Sequence, residues 1–257
     1  MDYRTFGNTG LTVSVLAFGT GTHGWGGRSE QTGLGIDGLT RLLRSAFELG
    51  INFWDAADAY GSHQHIARAL QGVQRDRVVI ATKTTAQSAS QATRDVERFL
   101  RELRTEFLDI VLLHCMTRAD WTGTHAEAME ALSKSKEQGK VRAVGVSCHS
   151  LGALRTALET EWAQVVLVRI NMAGVHMDAP PSEVVPLLGK LYASGKAIYA
   201  MKVLGCGQLA HNPRGAIDYV LRLGTVHSIV IGMSSYEQLL ANVSTVGELT
   251  SRQKSQQ

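Results

Sequence analysis

Eight times along this chain a short apolar run gives way to an amphipathic stretch, and few folds accommodate that rhythm. The runs fall at 13–18, 51–55, 77–82, 108–113, 141–146, 164–170, 197–203 and 227–231. The stretches between and after them fall at 38–49, 62–71, 90–105, 124–138, 150–159, 182–194, 213–223 and 235–247. Within 90–105, Val96, Phe99, Leu100 and Leu103 follow the i, i+3, i+4, i+7 spacing of a helix with one buried face. The runs are nearly continuous in apolar residues instead of alternating, as parallel strands covered by helices require. Eight strand–helix units in 257 residues match a closed (β/α)8 TIM barrel, whereas an open doubly wound sheet usually has fewer strands. The opening YRTFGNTGLTVS predicts an N-terminal β-hairpin turning at Asn8-Thr9-Gly10. No linker interrupts the pattern, so one barrel domain over 1–257 is expected, with 248–257 as a frayed tail.

Local chemistry marks the helix ends. Ser150 and Ser182 are placed as N-caps, and Gly50, Gly139 and Gly195 stand where a helix ends in a left-handed residue.

The chain is 44% hydrophobic, enough to bury a large core. A net charge of +3 with scattered Lys and Arg argues against a nucleic-acid partner. Cys115, Cys148 and Cys206 are odd in number and lack CxxC spacing, which suits reduced thiols in a cytoplasmic protein. No apolar run reaches the roughly 20 residues of a membrane helix.

Four polar residues stand out against this pattern. INFWDAADAY (51–60), RVVIATK (77–83) and LDIVLLH (108–114) each run apolar and then stop on ionisable groups. Asp55, Lys83 and His114 close three successive strands, and Tyr60 follows in the loop after Asp55. The C-terminal rim of a barrel is where such groups do chemistry. An ammonium about 4 Å from a phenol favours phenolate by about 4 kcal/mol at an effective dielectric near 20. That is roughly three pKa units below the ordinary value of about 10, so Lys83 is expected to draw Tyr60 toward neutral pH. Asp55 keeps the lysine ionised against desolvation, and His114 donates a hydrogen bond to a carbonyl oxygen. Taken singly, each residue has a duller explanation: a salt bridge, a packed tyrosine, a satisfied histidine. Taken together they suit protonation of a developing alkoxide.

DAADAYG, ATK and LLH, in that order, resemble the aldo-keto reductases, and the likeness runs from residue 3 to about 245. The resemblance implies a (β/α)8 barrel that binds NADPH or, less often, NADH without a Rossmann fold. It implies a catalytic tetrad of Asp55, Tyr60, Lys83 and His114, with Tyr60 as general acid, and a small carbonyl or alcohol substrate. GVS (145–147) is similar to the strand whose serine holds the nicotinamide carboxamide, implying Ser147. Cys148 stands where the family usually has Asn, and a thiol is a weak donor. Cys148→Asn is therefore expected to tighten nicotinamide binding. Leu167 stands for a glutamine, and Asn171 matches an asparagine at the end of the sixth strand. In AMKVLGCGQL (200–209), Met201 stands where many members have a stacking tyrosine and offers a soft, polarisable face instead. Lys202 and Leu204 are candidate cofactor contacts, and the Gly205–Gly207 loop lets backbone N–H groups approach the pyrophosphate. IGMSSYEQLLANV (231–243) resembles the last phosphate and adenosine motif, implying Gly232, Met233, Ser234, Gln238 and Asn242. This segment has no Lys or Arg to pair with a 2′-phosphate, so either cofactor is compatible. The family's long C-terminal loop is essentially missing, which predicts an open pocket with His23, Trp25 and Trp121 as candidate substrate walls.

Gly19-Thr20-Gly21-Thr22-His23-Gly24 formally fits GxGxxG, but no helix follows at once, as a dinucleotide fold requires. Gly19, Thr20 and Gly21 remain candidate nicotinamide contacts. Two other function classes stay open at this point. His63-Gln64-His65, with His114, His149 and His176, has residue types found in zinc-dependent barrel hydrolases. A non-catalytic nicotinamide-binding regulatory subunit is the other. Oligomeric state has no signature here.

Overall fold

A computed structural model describes residues 1–254. Strands β1 (Tyr3–Thr5) and β2 (Thr12–Ser14) pair antiparallel, with Gly7–Thr9 and Gly10 making the turn between them. The first apolar run thus divides between β2 and the first barrel strand. That strand is β3 (Leu16–Gly19), followed by β4 (Phe53–Asp55), β5 (Val79–Thr84), β6 (Leu108–Met116), β7 (Val141–Cys148), β8 (Val165–Arg169), β9 (Ala197–Met201) and β10 (Ser228–Gly232). All pair in parallel, and β10 returns to β3 to close the barrel. Around it lie α1 (Gly35–Glu48), α2 (His63–Ala69), α3 (Ala89–Leu103), α4 (Trp121–Thr124), α5 (Ala126–Glu137), α6 (Leu151–Glu159), α7 (Pro181–Ala193), α8 (Pro213–Arg222) and α9 (Tyr236–Lys254).

The helix ends follow mostly local rules. Ser150 Oγ caps α6 by accepting from the Ala153 N–H. Ser182 does not cap α7: the helix starts one residue earlier, with Pro181 in the first turn and Pro180 as its cap, a position suited to proline's fixed φ. Gly50, Gly139 and Gly195 all take positive φ as expected. Residues 248–254, read from sequence as tail, extend α9, where Leu249 and Thr250 are buried; 255–257 lie outside the described residues. Among the described residues no helix is long and apolar enough to cross a membrane.

The strand period of two sorts each barrel residue to one of two layers. Phe53, Ala81, Ile110, Leu112, Val165 and Tyr199 fill the interior. Trp54, Ile80, Val111, Leu113, Val166 and Ile198 point outward against helix residues such as Leu39, Val96 and Leu132. Continuing the inward set toward the strand ends leads from Phe53 to Asp55, Ala81 to Lys83, Leu112 to His114 and Leu167 to Arg169. The barrel interior is therefore apolar below and ionisable at its C-terminal mouth. That switch positions the site.

Candidate active site

The inward positions of β4 and β5 meet first. Lys83 is fully buried, and its Nζ donates to both Asp55 carboxylate oxygens at 2.8 Å and to the Ala56 carbonyl at 2.7 Å. Tyr199, inward on β9, donates its hydroxyl to Asp55 Oδ1 at 2.8 Å. Sequence reasoning missed Tyr199, although period-two counting from Ala197 puts it on the inner face.

Tyr60 comes from a tight turn, Asp58–Tyr60, and not from a strand. Two contacts fix that turn. Arg98 on α3 grips Asp58 through two hydrogen bonds of 2.6 and 2.8 Å. On the other side the Tyr60 ring lies against bare backbone at Gly21, where a Cβ would come within 2.2 Å of it. The ring thereby lies over Lys83, whose Nζ is 4.9 Å from the ring centroid, and the Tyr60 hydroxyl stands 3.5 Å from His114 Nε2. The four tetrad residues thus converge. The last gap is long for a hydrogen bond, so both atoms can turn to a common third oxygen.

The electrostatics differ from the sequence expectation. An ammonium has three protons, and Lys83 gives all three to Asp55 and Ala56, leaving none for the Tyr60 hydroxyl. Desolvation, then the Asp55 carboxylate, then Cys115 push the phenol well above its ordinary value of 10.0. Lys83 does not bring it toward neutral; the phenol is protonated. Burial lowers the lysine's own pKa, and Asp55 opposes this. Burial first, with Lys83 and His149, lowers His114 to about 3. Its ring is consequently neutral, and its Nδ1 is buried without a partner. Because the folded-state value lies below the ordinary 6.5, the stability contribution of this histidine is present above pH 6.5 and lost as pH falls toward 3. We expect kcat/KM to show no acid limb near pH 6.5 from this group; a limb there that vanishes in His114→Gln would contradict the assignment.

Asp55, Tyr60 and His114 open onto a cleft of about 660 Å³, within the range of ligand sites. Gly19, Gly21, Met201, Lys202, Leu204, Gly207, Gly232, Ser234, Gln238 and Asn242 line it, as do His23 and Trp25. Other candidates lie elsewhere. Trp121 is only 1% exposed and donates its indole N–H to the Ala153 carbonyl, so it is packing under α6. Thr20 turns away to bond the Asp55 carbonyl and Ser62. Asn171 spends its amide on Val175, Lys202 and Ala173 backbone groups, bracing the loop after β8. Gly205 sits behind the wall against Val175 and Leu209, and Met233 is buried in the outer core. At the start of α9 the Ser234 N–H is taken by Gln238 Oε1 and the Gln238 N–H by Ser235 Oγ. His63, the first residue of α2, is held by Glu102 and Thr82 and does not line the cleft. Among the described residues no group of three or more His, Cys, Asp or Glu is placed to hold a metal ion.

The end of β7 requires a further correction. Gly145, Ser147 and His149 alternate inward, whereas Cys148 belongs to the outer layer, where burial drives its thiol above the ordinary range. It cannot reach the cleft. Cys148→Asn should therefore leave the cofactor dissociation constant unchanged, contrary to the sequence expectation. It should also lower stability by about 1–3 kcal/mol, because an amide is left in an apolar layer. Fluorescence titration and urea unfolding test the two halves. Ser147, by contrast, is fully buried with its Oγ unpartnered. Ser147 is not part of the cleft lining, but it is an inward, orphaned hydroxyl on the strand that leads to His149. Together with bare glycine backbone at Gly19, Gly207 and Gly232 in the cleft, it fits a ligand that brings an amide and phosphates.

Comparison with known proteins agrees with this geometry. The aldo/keto reductase family model matches residues 15–215. L-galactose dehydrogenase of Arabidopsis thaliana is 27% identical, over 98% of this chain and 90% of that protein. The 6-dehydroglucose reductase of Novosphingobium aromaticivorans is 27% identical, over 83% of this chain and 69% of that one. A solved structure from Pseudomonas aeruginosa, assigned as an aldo-keto reductase, superposes with a TM-score of 0.80 at 27% identity, covering 96% of this chain and 95% of that one.

Proposed function

The chain belongs to the aldo/keto reductase family and is a nicotinamide-dependent oxidoreductase, and from that premise we propose that it reduces a small carbonyl compound with Tyr60 as proton donor. The observation that carries this reading is the Asp55–Lys83 ion pair buried directly beneath the Tyr60–His114 pair in one cleft. The hydride for the carbonyl carbon would come from NADPH or NADH when bound. The Ser147 hydroxyl would hold its carboxamide, and the backbone at Gly19, Gly207 and Gly232 would leave room for the rest of it. Tyr60 Oη and His114 Nε2 both reach the substrate oxygen, Tyr60 to give its proton and His114 to orient.

A neutral phenol is the right starting form for a proton donor. As the proton leaves, negative charge grows on a ring whose centroid lies 4.9 Å from the Lys83 ammonium. That cation is already fixed by its three hydrogen bonds, so it stabilises the charge without reorganising. The ammonium thus acts on the product of the proton transfer more than on the resting phenol. Asp55, held in turn by Tyr199, keeps the ammonium in place.

Two of the relatives take their names from sugars. The rim here offers Trp25, 61% exposed, as a flat apolar wall of the kind that stacks on sugar rings. We therefore place sugar-like carbonyls among the substrates. A panel of aldehydes, ketones, sugars and hydroxysteroids, assayed with NADH and NADPH by the absorbance of the reduced nicotinamide, tests the proposal. Turnover of at least one class is the expected result. Cofactor binding without turnover of any of them would favour a regulatory subunit instead.

A further inference from the structure

One polar side chain beside the reacting pair has no part in the chemistry above. His149 lines the cleft together with Tyr60 and His114, its ring centroid 6.4 Å from that of His114. Arg169, inward at the end of β8, directs its Nη2 at His149 Nδ1, and its Nη1 is anchored on the His176 carbonyl at 3.1 Å. A guanidinium only donates, so Nδ1 must accept, and the single proton of the neutral ring sits on Nε2. Burial, with the cations of Arg169, Lys202 and Lys83, lowers the pKa of His149 to about 3 and keeps the ring in that neutral form. Among the described residues Nε2 makes no hydrogen bond, and it is not among the fully buried unpartnered atoms. A donor of fixed tautomer therefore faces the cleft.

Its height in the barrel says what it meets. Val146 pairs with Leu113 and, after a register shift, Cys148 pairs with Met116, so Ser147 stands beside the His114–Cys115 segment while His149 lies two residues nearer the mouth. Two strand residues span about 6–7 Å. The carboxamide belongs to the level of Ser147, and the oxygen being protonated to the level of His114. His149 lies above both.

We propose that His149, its tautomer set by Arg169, is a substrate-binding residue that donates Nε2–H to a second oxygen of the substrate, on the mouth side of the reacting carbonyl. The substrates favoured are carbonyl compounds with a neighbouring hydroxyl or carbonyl, as in hydroxyaldehydes, sugars and dicarbonyls. Leu167, Met201, Cys115 and Trp25 line the same cleft and are no match for such an oxygen, while Lys202, whose charge acts on His149, directs its ammonium at the Cys206 thiol. Arg169 is the positioning residue. The inference rests on the reductase reading given above.

The test compares kcat/KM for glycolaldehyde and propanal, which differ by a hydroxyl in place of a methyl group. The variants are His149→Phe, His149→Gln, Arg169→Met and Arg169→Lys, each with its cofactor dissociation constant measured separately by fluorescence. The ratio of the two kcat/KM values should fall about tenfold in His149→Phe, the weight of one neutral hydrogen bond. It should fall part-way in Arg169→Met, which frees the tautomer, and return toward wild type in His149→Gln and Arg169→Lys, which keep a donor. Cofactor affinity should stay constant across the set. An unchanged ratio in His149→Phe overturns the proposal. Weaker cofactor binding in that variant also overturns it, assigning the donor to the carboxamide. If wild type turns over neither aldehyde nor any member of the wider panel, the reductase reading fails first.

Discussion

Tyr60→Phe will reduce turnover by about 10²- to 10⁴-fold, the usual weight of a positioned general acid, while cofactor affinity stays within a few-fold of wild type. The substitution removes one oxygen and no packing. The ring keeps its contacts at Gly21 and Gly24 and its place over the Lys83 ammonium. No carboxylate is stranded, because Asp55 takes its hydrogen bonds from Lys83 and Tyr199 and not from Tyr60. The loss should fall on kcat and kcat/KM alike, the mark of an interaction made in the transition state. Steady-state kinetics with either nicotinamide checks this, and a variant within a few-fold of wild type would take Tyr60 out of the chemistry.

Asp55→Asn is expected to have the largest effect on stability. It leaves the Lys83 ammonium fully buried with no counter-charge, a situation that typically costs about 3–5 kcal/mol. Urea unfolding should show the loss as a lower midpoint. The pH dependence has a definite sign. Desolvation already lowers the folded-state pKa of Lys83 below 10.5, and Asp55 is what opposes it. Without Asp55 the folded protein holds that proton still more weakly than the unfolded chain does. Stability of the variant should therefore rise with pH through the window below 10.5, more steeply than wild type. Adding Lys83→Met removes the stranded charge and should recover much of the midpoint. A double variant no more stable than Asp55→Asn alone would mean that the buried charge is not the cause of the loss.

The barrel was legible because its signal is repeated eight times, and each apolar run needed only to be recognised as a strand. The hairpin and the cap at Ser150 followed from local chemistry. Asp55, Lys83 and His114 were legible because an ionisable group ending an apolar strand is rare and expensive. What the sequence hid was direction. Cys148 and His149 are adjacent, yet the pleat sends one into the helix layer and the other into the cleft, and a one-residue error in phase exchanges them. Thr20, Asn171 and Met233 make the same point: membership of a motif does not say which way a side chain points, and each finds its partners outside the cleft lining. Trp121 is a different case, since its loop folds into α4 and buries the indole under α6. Tyr199 and Arg98 went unnoticed because their partners, Asp55 and Asp58, are 144 and 40 residues distant.

The least legible quantity was the sign of the Tyr60 shift. Distance alone suggested a lysine lowering a phenol. The structure shows that lysine's three protons already committed and the phenol dominated by desolvation. The same four residues then present a neutral phenol above a fixed cation, in place of a resting phenolate.

The most direct test of that account is the pH dependence of kcat/KM for aldehyde reduction with cofactor saturating. The account predicts a plateau through neutral and mildly alkaline pH, with the acidic form of Tyr60 lost only above the ordinary phenol value of 10.0. A fall centred near neutral pH, present in wild type and absent from the residual activity of Tyr60→Phe, would contradict it.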